Sequence, residues 1–273
     1  MGRAPAIAAL GFAAAASIVF AASASAEITI GSTLTSSPTA GFSTPSITLT
    51  QTVPQDRSFV SPVDGELVRW RWLNPLGASA RARVLRSVDG GATFTGAGTG
   101  PTSTSPAGGP VVFPLGPVFP IRKGDYFGVD QLSAFAVSLS TAVSPGTSVA
   151  DWVPALPDGA FPIAPSASGN EELLVNADVE PEVTTITVQP RVKVRTEKKR
   201  VHAPFSFTSN QSGLGFECSL DGAPFSPCRA PIDYFVKPGA HNFQVEATLE
   251  GKKFGNTPSV DFKVKKRKKR KKH

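Results

Sequence analysis

LVRWRWL, residues 67–73, is the stretch whose reading decides the fold. A helix buries apolar residues spaced three or four apart, whereas here apolar and basic residues alternate one by one, the period of a strand. On a strand, Val68, Trp70 and Trp72 share one face, and Leu67, Arg69, Arg71 and Leu73 share the other. Two indoles beside a valine point to a buried face with the arginines outward, because each ring removes a large apolar area from water. The rival use of paired tryptophans is an exposed platform on which sugars stack.

Outward from this segment, short alternating runs recur at 27–34, 46–52, 66–73, 80–87, 111–115, 126–131, 134–143 and 172–177. Gly and Pro number 25 each and break the runs apart. The stretch VDGGATFTGAGTGPTSTSPAGGP, residues 88–110, reads as turns and loop. Eight or so strands over 27–180 predict a jelly-roll-like β-sandwich. Trp152, in VADWVPALPDG, is the aromatic whose Pro-rich surroundings suggest exposure to a ligand. Arg122 to Asp125 reads as a charged hairpin or sheet-crossing turn in which Gly124 supplies backbone freedom. Glu171, Glu172, Asp178, Glu180 and Glu182 lack the alternate-Asp-plus-Gly loop of a calcium site and read as a solvated strand end, so no metal is expected.

Residues 1–26 carry one early charge, Arg3, then an apolar run from Ala6 to Ala22, then Ala24-Ser25-Ala26. This is the order of a secretory signal peptide cut after Ala26, and it implies an extracellular destination. Composition changes near Glu180, and 181–264 shows further alternating segments at 205–208, 215–220, 232–236, 242–248 and 259–264. They suit a smaller immunoglobulin-like sandwich. The fold class expected is therefore all-β, in two units.

Cys218 and Cys228 are the only cysteines, and export permits them to pair. A two-residue turn at Asp221-Gly222 would set Cys218 opposite Phe225; direct pairing of the cysteines centres the loop on Ala223 instead. A wider loop with Gly222-Ala223-Pro224 at its tip is the prediction.

TIGSTL, SPVDGELVRWRW, PIRKGDYFGVD and EELLVNADVEPE together resemble a type of secreted bacterial β-sandwich domain of unassigned function, over most of 27–180. TTIT, FSFTSN, FECSLDG, the second cysteine ten positions after the first, and GAHNFQVEAT resemble a bacterial Ig-like domain of secreted surface proteins, over about 183–264. The resemblance implies a stalk or spacer. It departs at EGKKFGNTPS, which is more basic than the family pattern.

The net charge of +7 belongs to the end of the chain. Lys265, Lys266, Arg267, Lys268, Lys269, Arg270, Lys271 and Lys272 form an unbroken basic run, and without these eight the chain holds 20 basic and 21 acidic residues. Within the body, 27–180 carries 13 acidic and 8 basic residues, and 181–264 carries 8 acidic and 11 basic. The sequence therefore offers no basic face on a fold, and specific nucleic-acid binding is not expected. After export the run 265–273, read as a disordered tail, would meet anionic lipid head groups or acidic envelope polymers. No G-x-S-x-G or phosphate-cradling loop occurs, and His202, His241 and His273 stand apart, so neither catalysis nor a cofactor is expected. These readings imply a non-catalytic, cell-surface protein, with a carbohydrate-binding module in 27–180 as the alternative. Oligomeric state is not legible.

Overall fold

A computed structural model describes residues 26–266 except 74–76, 107–109, 117–118, 192 and 197. The expected signal peptide and the basic run beyond Lys266 thus lie outside the described residues, apart from Ala26. Every regular element among those described is a strand, and the molecule is all-β. No strand pairing crosses Glu182: the sheets before it and after it are separate.

In the first unit a five-stranded sheet runs in the order Ile28–Gly31, Val175–Pro181, Gly65–Trp72, Val111–Pro114, with Pro120–Ile121 also on Gly65–Trp72. It faces a six-stranded sheet ordered Ala167–Gly169, Ser148–Trp152, Ile47–Val53, Tyr126–Gln131, Ser79–Arg86, Thr95–Thr104. A small third sheet joins Glu172–Leu173, Ser138–Ser140 and Ala40–Gly41. The core between the large sheets holds Trp70, Trp72, Ile47, Leu49, Phe127, Val129 and Val175. The tryptophans are buried as expected, and Phe113 stacks on Trp72 with ring centroids 4.6 Å apart.

One face assignment is corrected. Leu67 is buried with the tryptophans while Val68 is turned partly outward. Asp178 pairs with Arg69 and Val179 with Leu67, so Val68 is left unpaired in a β-bulge that resets the alternation. A second correction concerns 88–110, because Thr95–Thr104 is a ten-residue edge strand on Ser79–Arg86. An edge position tolerates Pro101, whose missing N–H faces no further strand. Its glycines admit neighbours at close range: a β-carbon at Gly98 would stand 3.0 Å from Phe119, and one at Gly100 3.2 Å from Leu115.

The second unit is a two-sheet sandwich. Thr184–Val188, Val201–Ser209 and Ile232–Val236 form one sheet. The other runs Lys193–Thr196, Ser259–Lys266, Gly239–Leu249, Gly215–Leu220, Ser226–Pro227, with Lys252–Phe254 on Gly239–Leu249. Lys193–Thr196 lies parallel to Ser259–Lys266; the other pairings are antiparallel. Phe205, Phe207, Phe243, Val245 and Phe262 close the core, with Phe205 stacked on Phe243.

The units meet through hydrogen bonds. Arg122 donates to the Leu249 carbonyl at 2.7 Å and the Lys253 carbonyl at 3.2 Å, and its guanidinium lies 5.5 Å from the Phe254 ring centroid. Asp64 accepts from the Lys123 and Gly255 amides, and Gln211 donates to the Glu180 carbonyl. Gly255 has φ +84° and packs so closely on Glu182 that a β-carbon would collide with its carboxylate. The segment departing from the Ig-like pattern, EGKKFGNTPS, thus docks on the first unit beside Gln211.

Candidate functional site

The second unit's strands run from this junction to the opposite pole. Val201–Ser209 ends beside Asn210, which donates to the Pro181 carbonyl, and Gly239–Leu249 ends at the carbonyl held by Arg122. Their starts therefore lie at the far pole. Three segments converge there. Lys198, Lys199 and Arg200 precede Val201–Ser209 on the way from Lys193–Thr196. Lys237 and Pro238 carry it from Ile232–Val236 to Gly239–Leu249. The strand Ser259–Lys266 ends beside them, with Thr196 opposite Lys266.

The convergence builds a shallow groove of about 490 Å³ lined by Lys199, Arg200, Lys237, Pro238 and Lys266. The four cationic side chains are exposed, and among the described residues none has a carboxylate partner. Four cations around one hollow give it a positive field, the condition for drawing in an anionic ligand.

Behind the groove, His241 fixes the turn that carries Lys237. Its Nδ1 lies 2.8 Å from Asp221 Oδ2 and its Nε2 2.7 Å from the Lys237 carbonyl. A carbonyl and a carboxylate both accept, so only the doubly protonated ring satisfies both. Burial pulls the imidazole's pKa down, but the hydrogen bonds to Asp221 and Lys237 and the Asp221 charge outweigh it, and the net shift is upward. A neighbouring hollow of about 420 Å³ is lined by Lys193, Asp221, Asp261, His241 and Lys263, among others. Its charges are mixed, which makes it the poorer anion site.

Of the residues the sequence singled out, Lys265 and Lys266 sit exposed at the end of Ser259–Lys266. These two residues, read as the start of a disordered tail, belong instead to that strand. Arg267, Lys268, Lys269, Arg270, Lys271 and Lys272 lie outside the described residues. Lys199, Arg200 and Lys237 were missed, and they correct the reading that no basic face exists. The EKKR run at 197–200 was the visible signal; its meeting with Lys237 and Lys266 depends on the fold.

Cys218 and Cys228 form a disulfide, with Cα atoms 5.8 Å apart. The hairpin is tighter than the wide loop expected. Ala223 N donates to the Leu220 carbonyl at 3.1 Å across Asp221 and Gly222, both at positive φ, which is the two-residue turn weighed above. The register then slips by one residue, so that Cys218 faces Ser226 and the bridge runs diagonally to Cys228.

Trp152 does not face a ligand; it is 2% exposed. The outer face of the six-stranded sheet is roofed by residues 153–166, and Trp152 packs there edge-on to Phe94 while its Nε1 donates to the Ile163 carbonyl. A buried ion pair holds the roof. Asp130 accepts from Thr48 Oγ1 at 2.6 Å and from Arg83 Nη1 at 2.8 Å, and Arg83 Nη2 donates to the Leu156 carbonyl and to Asp158, each at 2.7 Å. The exposed aromatic of this loop is Phe161, alone at 91%.

The acids expected at a solvated strand end are largely buried. Glu172 accepts from Ser32 and Ser36, Asp178 from Thr29, Arg69 and Arg71, and Glu182 from Thr184 and Ser209. Among the described residues no group of three or more His, Cys, Asp or Glu side chains is placed to hold a metal ion.

No family model matches the sequence, and no curated protein matches it. A β-glucuronidase of an uncultured Clostridium sp. is 8% identical, with a TM-score of 0.22 over 73% of this chain and 32% of that one. A Lactobacillus rhamnosus β-glucuronidase is 8% identical, with a TM-score of 0.23 over 75% and 36%. This chain spans about a third of the length of those enzymes, and likeness at that level carries no argument about activity.

Proposed function

We propose that the chain is an exported, non-catalytic surface protein in which the second unit is a spacer, the first unit is presented outward, and the cationic pole with the basic run beyond it binds an anionic envelope surface. The observation that carries the reading is the polarity of the second unit: its junction with the first lies at one end of its strands, and Lys199, Arg200, Lys237 and Lys266 gather at the other. Lys265 and Lys266, the first two residues of the basic run, end the strand Ser259–Lys266 at that same pole. The two strand orders suit an Ig-like spacer. The disulfide is compatible with an oxidising, extracellular setting.

The test uses cells secreting the full chain and a form lacking 267–273, a cut that leaves the strand Ser259–Lys266 whole. Both are washed with rising salt. The full chain is expected on the envelope and to leave at high salt, with the shortened form leaving at lower salt, because charge contacts to a surface are screened by ions. Equal recovery of both forms from the medium would refute the reading.

A further inference from the structure

The groove itself is more than an extension of the tail. Resting on the surface-binding reading above, we infer that Lys199, Arg200, Lys237 and Lys266 form a binding site for a linear phosphodiester polymer, and that the groove engages it without residues 267–273.

Three features favour a threaded chain over a flat lipid surface. The cations line a hollow instead of standing on a plane, so a narrow polyanion reaches all four while a membrane meets only the outermost. The lining offers no apolar side chain except Pro238, so there is nothing to enter an acyl layer. The chemistry is also matched: Arg200 presents a planar fork that fits two phosphate oxygens, and the three lysines act as point charges on successive groups. The Lys237 arm is braced from behind, because His241 holds the Lys237 carbonyl and is itself tied to Asp221. A braced arm loses less freedom on binding than a side chain on a loose loop.

The experiment measures binding of the form lacking 267–273 to poly(glycerol phosphate) and, separately, to phosphatidylglycerol–phosphatidylcholine vesicles. The two probes carry the same phosphodiester, one as a chain and one as a surface. The shortened protein is expected to bind the polymer, to bind the vesicles more weakly, and to lose about tenfold or more in polymer affinity on Arg200→Ala with Lys237→Ala. Arg200→Lys with Lys237→Arg should retain most of the binding, and circular dichroism checks that each variant is folded. Unchanged polymer affinity in the folded double-alanine variant would overturn the inference, as would preference for vesicles. If the full chain binds and the shortened one does not, the groove is refuted while tail-mediated attachment stands. If neither binds either probe, both readings fall.

Discussion

Replacing Asp130 with Ala should open the roof over the outer sheet face of the first unit. Asp130 is fully buried, and Arg83 has a side chain only 3% exposed. Removing the acid leaves a buried guanidinium short of its main partner, which costs about 3–5 kcal/mol when a buried pair is broken from one side. The Thr48 hydroxyl loses its acceptor as well, worth about 1 kcal/mol. Arg81, a third exposed, adds little because solvent screens it. Arg83 keeps its bonds to Leu156 and Asp158 but loses the anchor that ties them to the sheet, so 153–166 should loosen before the core does. Tryptophan fluorescence reads this directly, since Trp70 and Trp72 are sealed in the main core and Trp152 lies under the roof. Iodide quenching should rise in Asp130→Ala, and the urea midpoint should fall by the free energy above divided by the m-value. Asp158→Ala, at an acid 46% exposed, should cost about 1 kcal/mol or less. The pair Arg83→Met with Asp130→Leu should recover much of the loss, because apolar replacements carry no desolvation penalty. If Asp130→Ala unfolds within 1 kcal/mol of the parent and quenches no faster, the ion pair is not what holds the loop.

Three further outcomes are expected. His241 has a raised pKa, so the stability it adds is fully present below its ordinary value near 6.5 and is lost as pH rises through the higher folded value; urea midpoints of the full chain should fall over that window, and His241→Asn should flatten the dependence. Reducing the Cys218–Cys228 bridge, which spans ten positions, should lower the second unit's stability by roughly 2–3 kcal/mol in urea with and without reductant. Arg122→Ala removes two bonds to carbonyls and the contact with Phe254, and should weaken the junction by about 1–3 kcal/mol, seen as faster proteolysis between the units with each unit's spectrum unchanged.

The sequence yields strands readily where one face meets the core, because alternation is local: Trp70, Trp72, Phe205 and Phe243 lie buried as their spacing implies. It fails where a partner decides. The swap of Leu67 for Val68 is set by the pairing step between Asp178 and Val179, more than a hundred residues away. Thr95–Thr104 hides its strand because the glycines that suit close packing at an edge also look like turn residues. Trp152 misled because a Pro-rich loop usually lies on the surface, whereas here that loop is the cover. The cationic groove was least legible, since its side chains come from two sheet crossings and a strand end, each too short to stand out in a charge count.

On the proposed reading of the second unit as a spacer, the charge balance of the two units gives it a physical purpose. Residues 27–180 carry 13 acids against 8 bases and would be repelled by the surface that attracts the pole. Screening limits that repulsion to about 8 Å at physiological salt. The strand Gly239–Leu249 has 11 residues, which at about 3.3 Å each span roughly 35 Å between groove and junction. That is several screening lengths, enough for the first unit to stand clear of the repulsive field. The bonds from Arg122, Asp64 and Gln211 then matter as much as the cations, because a limp junction would let the acidic unit fold back toward the surface. On this reading, attachment and stand-off are two ends of one stiff element, and weakening either end should release the protein at lower salt.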